Sequence, residues 1–134
     1  MEPEEIVCWV FYGYVTPAGR REVQDWFNAL TDPEKDEIRD VLAYLQPLPL
    51  RLWEKPEYEM LGDGLSEIRI KVSALNKTIR IYGCFWPEGD RYSYTFLLGK
   101  EKKVKNDEDG KKESRRRKGR LDRGEATVYE FEFS

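Results

Sequence analysis

The sequence contains no histidine and only two cysteines among its 134 residues. Histidine is the commonest general base near neutral pH and the commonest metal ligand, so its absence removes the usual route to acid–base catalysis and to zinc binding. Two cysteines alone cannot complete a tetrahedral zinc site. Cys8 and Cys84 both fall within predicted strands, where we expect them to be buried and reduced. The sequence therefore predicts neither a metal nor another cofactor.

Long apolar runs are also lacking. The longest, Ile6 to Tyr12, is much shorter than the ~20 residues that a membrane-spanning helix needs. The first residues, Met1 to Glu5, are acidic, unlike the basic start of a signal peptide. We therefore expect a cytoplasmic protein that has no membrane partner.

Charge is abundant but unevenly distributed. The chain has 6 basic and 15 acidic residues up to Ile68, and 17 basic and 8 acidic residues from Arg69 to Gly124. The basic half suits a polyanionic partner, whereas the acidic half would repel one and could face a basic partner. The alternative is that both halves are ordinary solvated surfaces.

The first half of the sequence predicts a strand followed by two helices. The strand is Ile6–Val15, which is β-branched and aromatic. Thr16 and Pro17 predict a helix start, and Asp32 with Pro33 predicts a second one. Both helices carry apolar residues at helical spacing, and the short link predicts an αα-hairpin. The stripes are Val23, Trp26, Phe27 and Leu30 in the first helix and Ile38, Val41, Leu42 and Leu45 in the second.

A meander of three antiparallel strands is predicted next, at Leu65–Val72, Thr78–Trp86 and Arg91–Leu98, after an irregular connection over Pro47–Asp63. Alternation places aliphatic side chains on the face that packs against the helices. Arg69, Arg80 and Tyr82 lie on the opposite face, which we expect to be exposed to solvent. The predicted fold class is α+β, with the helices on one face of the sheet.

The end of the chain changes in composition. The segment Lys111–Arg123 contains eight basic residues and three nearby glycines, which predict a mobile arm or a poorly packed helix. Thr127–Phe133 alternates again and predicts a last strand, either at an edge of the same sheet or paired with another chain. We therefore divide the chain into a domain over residues 1–105, a basic arm over 106–126 and a possible strand over 127–134.

Three motifs in this order resemble the RelE/ParE toxin superfamily, with HigB and its phage-derived relatives as the closest branch. They are the segments from Gly64 to Ile70, from Ile79 to Tyr82 and from Phe96 to Lys103. The resemblance extends from about Ile6 to Lys105. Lys100 stands where the family has an aromatic residue after the glycine. The family motif also has one more residue between the leucine and the glycine, which are adjacent here as Leu98 and Gly99.

The resemblance implies the toxin component of a toxin–antitoxin system, a metal-independent endoribonuclease that cuts mRNA on the ribosome. The implied partners are mRNA and a cognate antitoxin, expected to be a small helix-turn-helix protein. RNA cleavage through the 2′-hydroxyl needs a base, an acid and cations around the phosphate, and arginine suits phosphate oxygens. The candidate catalytic residues are Arg69, Arg80, Lys102, Lys103 and Tyr129, and the candidate RNA-binding residues are Lys71, Tyr82, Lys100, Arg115, Arg116 and Arg117.

Two other functions fit the same resemblance. One is a ParE-like toxin that acts on gyrase, and the other is a non-catalytic phage-type module that binds nucleic acid or protein, using the basic arm for nucleic acid. The two arginines also have a purely structural interpretation, in which Arg69 pairs with Glu67 or with another nearby carboxylate.

Overall fold

The computed structural model describes residues 6–89 and 91–134 and has an α+β architecture. Within these ranges three α-helices accompany one six-stranded sheet. None of the described helices is long and apolar enough to cross a bilayer. In chain order the elements are β1 (Val10–Val15), α1 (Glu22–Asn28), α2 (Asp32–Leu45), β2 (Tyr58–Gly62), β3 (Leu65–Val72), β4 (Lys77–Cys84), β5 (Ser93–Glu101), α3 (Glu108–Asp122) and β6 (Thr127–Glu130), with 3-10 turns at Leu50–Leu52 and Ser73–Leu75.

The strands lie in the order β2-β3-β4-β5-β1-β6. Every neighbouring pair is antiparallel except β1 and β5, which run parallel. The chain therefore crosses from β1 through α1 and α2 to the far edge, returns through four consecutive antiparallel strands, and ends with β6 outside β1. The sheet is larger than the predicted three-stranded meander, because β2 lies beside β3 at one edge and β1 and β6 lie beyond β5 at the other.

The predicted strands differ from the observed ones mainly at their ends. The predicted limits of β3 are correct, β4 lies within one or two residues of its prediction, and β5 is displaced towards the C-terminus. β1 begins only at Val10, so Cys8 lies outside it and is exposed, contrary to the prediction. Cys84 is buried as expected, and burial raises the pKa of its thiol to about 12.

The first helix begins at Glu22 rather than at Thr16 and Pro17. The intervening residues form a turn in which the Thr16 carbonyl accepts the N–H of Gly19, and Gly19 has a φ of +83°. Such a backbone conformation favours glycine and interrupts a helix. Local capping signals had suggested the wrong start because the same residue types also begin turns.

The second helix was predicted correctly. It starts at Asp32, where the Glu34 carboxylate accepts the backbone N–H of Thr31 at 3.1 Å and its hydroxyl at 2.7 Å. Ile38, Leu42 and Leu45 are buried, and α2 packs against β3 while α1 packs against β1 and β5. The hairpin therefore covers one face of the sheet, as expected.

The connection predicted to be irregular contains an edge strand. β2 pairs antiparallel with β3 and has a buried Tyr58 but a Met60 that is 76% exposed. Its five residues do not alternate between buried and exposed, because Tyr58 and Met60 share a strand face but differ in exposure, and three prolines lie nearby in the sequence.

Of the two alternatives predicted for the basic segment, a mobile arm or a poorly packed helix, a helix is observed, α3. Its first turn is capped by the Asp107 carboxylate, which accepts the N–H of Gly110 at 3.1 Å. α3 packs against β4 and β5. Its buried positions recur at helical spacing but are chemically mixed: Gly110, Ser114, Arg117 and Leu121. Packing through small and cationic residues explains why no apolar stripe predicted this helix.

The two helical layers lie on opposite faces of the sheet. An added Cβ at Gly99 would meet the Trp26 ring of α1, whereas one at Gly110 of α3 would come within 2.9 Å of the Tyr82 ring. Gly99 pairs with Ile81, the neighbour of Tyr82 on β4, and successive strand residues face opposite sides. The two predicted helices cover one face, as expected, but the opposite face is not left to solvent as predicted, because α3 packs there against β4 and β5.

The last strand returns to this sheet. β6 pairs with β1, and the ring of Phe131 packs against Phe27 and Phe96. Buried Gln24 of α1 donates to the carbonyl of Glu132 at 2.8 Å and accepts its N–H at 3.0 Å. Of the two arrangements expected from the alternating pattern, pairing within the chain is the one observed.

Candidate functional site

A row of basic side chains lies on the α3 face, at the end of the sheet where β3 and β5 finish. The register pairs Arg69 with Arg80 and Arg80 with Lys100, and residues directly opposite share a face. Lys71 pairs with Thr78, and the N–H of Lys102 donates to the Thr78 carbonyl at 2.7 Å. The expectation that Arg69 and Arg80 project from the same side of the sheet is confirmed.

Part of this row surrounds a pocket of about 330 Å³, which we call the lysine pocket. It brings together four of the basic residues that the sequence analysis selected. Its lining residues are Arg80, Lys100, Glu101, Lys102, Lys103, Val104 and Asp107. These residues come from β4, from the end of β5 and from the segment that leads into α3, so the packing of α3 determines the shape of the pocket.

Arg80 forms the buried base of the lysine pocket, with only 2% of its surface exposed. Its Nη2 donates to the carbonyls of Lys105 at 2.9 Å and Val104 at 3.3 Å. Its Nη1 donates to the hydroxyl of Tyr82 at 3.1 Å, and its Nε lies 3.5 Å from Glu67 Oε2. The guanidinium that was expected to be exposed is therefore buried, and its two terminal nitrogens are bonded to protein groups, whereas Nε makes no hydrogen bond.

The carboxylate of Glu67 balances the positive charges of both Arg69 and Arg80. Its side chain is 1% exposed, and Oε1 accepts from Arg69 Nε while Oε2 faces Arg80. Arg69 also donates to Glu59. Like charges directly opposite on neighbouring strands repel, so a carboxylate between them is required for this register. The structural interpretation of Arg69, as a partner of Glu67, is the one that the contacts support.

Asp107 connects the pocket to the start of α3. Its carboxylate accepts from Lys100 Nζ at 3.1 Å, from the Tyr82 hydroxyl at 2.9 Å and from the Gly110 N–H at 3.1 Å. Burial alone would raise the pKa of Asp107, but these hydrogen bonds outweigh it and lower the pKa. Asp107 is therefore ionised at neutral pH, and its oxygens are already occupied.

Tyr82 cannot serve as the predicted stacking residue. It is fully buried between the sheet and α3, and burial raises the pKa of its hydroxyl to about 12. A base cannot reach its ring unless α3 moves. Tyr82 instead links Arg80 to Asp107 through its hydroxyl.

Lys102 and Lys103 are the accessible cations of the lysine pocket. Both are exposed, and the Lys103 ammonium lies 3.8 Å from the carboxylate of Glu101. Within residues 6–89 and 91–134, no carboxylate lies within salt-bridge distance of Lys102. Their predicted position at the end of the strand agrees with the structure.

The three consecutive arginines of α3 do not form one surface. Arg117 points inward, where it donates to the Leu97 carbonyl at 2.8 Å and pairs with Glu22 at 2.7 Å. Arg115 approaches the carbonyl of Leu61, while Arg116 is exposed beside Glu113. Successive helical residues differ by about 100° in direction, so the three side chains point to different sides of α3.

Tyr129 lies away from the lysine pocket. β6 is separated from β4 by β5 and β1, which corresponds to about 14 Å across the sheet. The Tyr129 hydroxyl donates to Gln24 Oε1 at 2.7 Å, and Arg21 covers its ring at 4.1 Å. Burial raises its pKa to about 12. The predicted catalytic role of Tyr129 beside Arg80 does not agree with this placement.

Two carboxylates of the site, Glu101 and Asp107, were not predicted from the sequence, and Glu67 was expected only as a partner of Arg69. A signal existed for Glu67, because it shares a strand face with Arg69 two residues away. Asp107 precedes the segment that forms α3 and could have been recognised as a helix cap.

Comparison with known proteins identifies no relative: no family model, no curated protein and no solved structure matches this chain. The assignment to the RelE/ParE superfamily therefore stays a prediction from three motifs. Function has to be argued from the site itself.

Proposed function

We propose that the protein is a RelE-like toxin, a metal-independent endoribonuclease that cuts mRNA on the ribosome and is held inactive by an antitoxin of the small helix-turn-helix type. The observation that supports this proposal is the lysine pocket, in which Lys100, Lys102 and Lys103 meet above the fixed charge of Arg80. A concave cluster of cations suits the phosphate of an RNA backbone.

The exposed charged residues of the pocket supply the groups that the proposed reaction needs. The RNA 2′-oxygen forms a bond to phosphorus, the bond from phosphorus to the 5′-oxygen breaks, and a cyclic phosphate and a 5′-hydroxyl result. Glu101, which is held only loosely by Lys103, accepts the proton of the 2′-hydroxyl. A pocket lysine returns a proton to the leaving oxygen. Lys102 and Lys103 stabilise the charge that develops on the phosphate, and buried Arg80, whose charge is balanced by Glu67, fixes the base of the pocket.

Growth and RNA cleavage after induced expression test the proposal. The informative variant is Lys102→Ala combined with Lys103→Ala, because both side chains are exposed and their loss leaves the core intact. Arg80→Ala is a poor choice, since it also removes buried hydrogen bonds. Lys112→Ala is the matched control, an exposed lysine on α3 outside the pocket.

The expected result is growth arrest with new mRNA 5′ ends inside translated codons for wild type and for Lys112→Ala, and neither effect for the double variant. Arrest and cleavage that persist in the double variant would exclude the lysine pocket as the site. An absence of both effects in the wild type would exclude the toxin function.

A second candidate is a module that binds RNA without cutting it. The burial of Arg80 favours this candidate, because its guanidinium is neutralised by Glu67 and bonded to two carbonyls instead of being open to a phosphate. Binding of single-stranded RNA that depends on Lys102, together with intact RNA after prolonged incubation with ribosomes, would support the module over the nuclease.

A further inference from the structure

A second pocket of about 340 Å³ adjoins the lysine pocket, and we call it the side pocket. The two share Lys102, which lines both. The side pocket lies where β3 continues past the start of β2, since β2 begins opposite Ile68. Its lining residues are Val41, Pro56, Glu57, Arg69, Lys71, Thr78 and Lys102.

Two of its cations form no ion pair with a described carboxylate. Arg69 is paired with Glu59 and Glu67, but Lys71 is exposed and no carboxylate in the described ranges lies within salt-bridge distance of it or of Lys102. A charge without a counterion in the protein attracts anions from solution and is available for a phosphate. Lys71 and Lys102 therefore provide cations on either side of Thr78.

The remaining lining residues offer groups that suit a nucleobase. Val41 and Pro56 contribute apolar surface, against which the face of a base can pack. Glu57 lies opposite Arg69, whose N–H donates to the Glu57 carbonyl at 2.8 Å, so Glu57 shares the face of the basic row. A carboxylate accepts a hydrogen bond from the exocyclic amine of cytosine, adenine or guanine, a group that uracil lacks.

We infer that the side pocket binds the nucleotide next to the one held in the lysine pocket and prefers a base with an exocyclic amine. This inference rests on the proposed RNA-binding function. Thr78 and Arg80 are two residues apart on β4, so the pockets lie about 7 Å from each other along the strand. That distance suits neighbouring nucleotides of an extended single strand, with Lys102 between them.

Fluorescence anisotropy with the full-length protein and labelled short oligouridines tests the contribution of Lys71. We expect Lys71→Ala to lower the slope of log affinity against log salt concentration by about 0.7, the effect of one lost phosphate contact on single-stranded RNA. Lys112→Ala is the control, and its slope should equal that of the wild type.

Base preference tests Glu57. The probes are the oligouridine itself and versions in which one uridine is replaced by cytidine or adenosine. We expect the wild type to bind the replaced probes about tenfold more tightly, the effect of one hydrogen bond to a charged acceptor. Glu57→Ala should abolish this preference. Glu54→Ala, which removes a nearby exposed carboxylate outside the pocket, should retain it.

The outcomes separate this inference from the function on which it rests. If Lys102→Ala weakens binding while Lys71→Ala and Glu57→Ala leave the slope and the preference unchanged, the side pocket is not a subsite and the lysine pocket stands. If the wild type binds none of the probes, both the RNA-binding function and the subsite are wrong.

Discussion

Glu67→Gln is the substitution whose effect on stability is most directly set by the structure. The amide has nearly the same shape as the carboxylate but no charge, so Arg80 would keep its hydrogen bonds to Tyr82 and two carbonyls and lose its counterion. Removing one partner of a buried ion pair costs about 3–5 kcal/mol, because the remaining charge is uncompensated in a medium that solvates it poorly. Arg69 contributes little to this cost, since it is partly exposed and keeps Glu59.

We therefore expect a loss near the lower limit, about 3 kcal/mol, from a total of about 5–15 kcal/mol for a domain of this kind. Urea unfolding monitored by tryptophan fluorescence measures this free energy. Glu59→Gln is the matched control, since it makes the same chemical change at a pair that is partly exposed, where about 0–1 kcal/mol is expected. Equal losses for the two variants, or less than about 1 kcal/mol for Glu67→Gln, would show that the buried pair does not stabilise the sheet in this way.

Three further predictions concern α3 and β6. Gly110→Ala places a Cβ 2.1 Å from Asp107 Oδ2 and should lower the free energy of unfolding by about 1–3 kcal/mol, whereas Gly119→Ala meets only a flexible arginine side chain and should raise it by up to about 1 kcal/mol. The pKa of Asp107 is lower in the folded protein, so its ionised carboxylate stabilises the fold above the unfolded pKa of about 4, and this stabilisation is lost as the pH falls. When the pH is lowered below about 5, the free energy of unfolding of Asp107→Asn should therefore decrease less than that of the wild type. Tyr129→Phe should cost about 1 kcal/mol through the lost bond to Gln24 and leave the proposed RNA cleavage unchanged, and lost cleavage by a folded variant would contradict its placement away from the proposed site.

Elements with strong local signals were predictable from the sequence. β3 alternates over its full length, and α2 combines a proline near its start with a capping glutamate, so the limits of both agree with the structure. α3 was not predictable in the same way, because its buried face consists of Gly110, Ser114, Arg117 and Leu121. Long-range contacts to Glu22 and Leu97 make Arg117 a core residue, and no local pattern encodes them.

The sequence predicted which basic residues lie on the same face of the sheet, but not how deeply they are buried or which groups they contact. Strand alternation and the end of β5 place Arg80 and Lys102 on one face, as expected. The burial of Arg80 depends on the carbonyls of Val104 and Lys105, which reach it only because α3 folds back over the sheet. The separation of Tyr129 from Arg80 was not predictable, because the insertion of β1 between β5 and β6 cannot be deduced from the last strand alone.

The basic residues of this face fall into two groups, those that form an ion pair with a carboxylate and those that do not. We assign structural roles to the first group and binding roles to the second. Arg69, Arg80 and Lys100 each have a carboxylate partner that balances their charge within the protein, so replacing any of these side chains mainly changes stability. Lys71 and Lys102 lack such a partner among the described residues. Exposed charges of this kind add little to folding but interact with phosphates in a way that salt screens. An alanine scan of the row that ignores this division would confuse unfolding with loss of function, as the obvious substitution of Arg80 would.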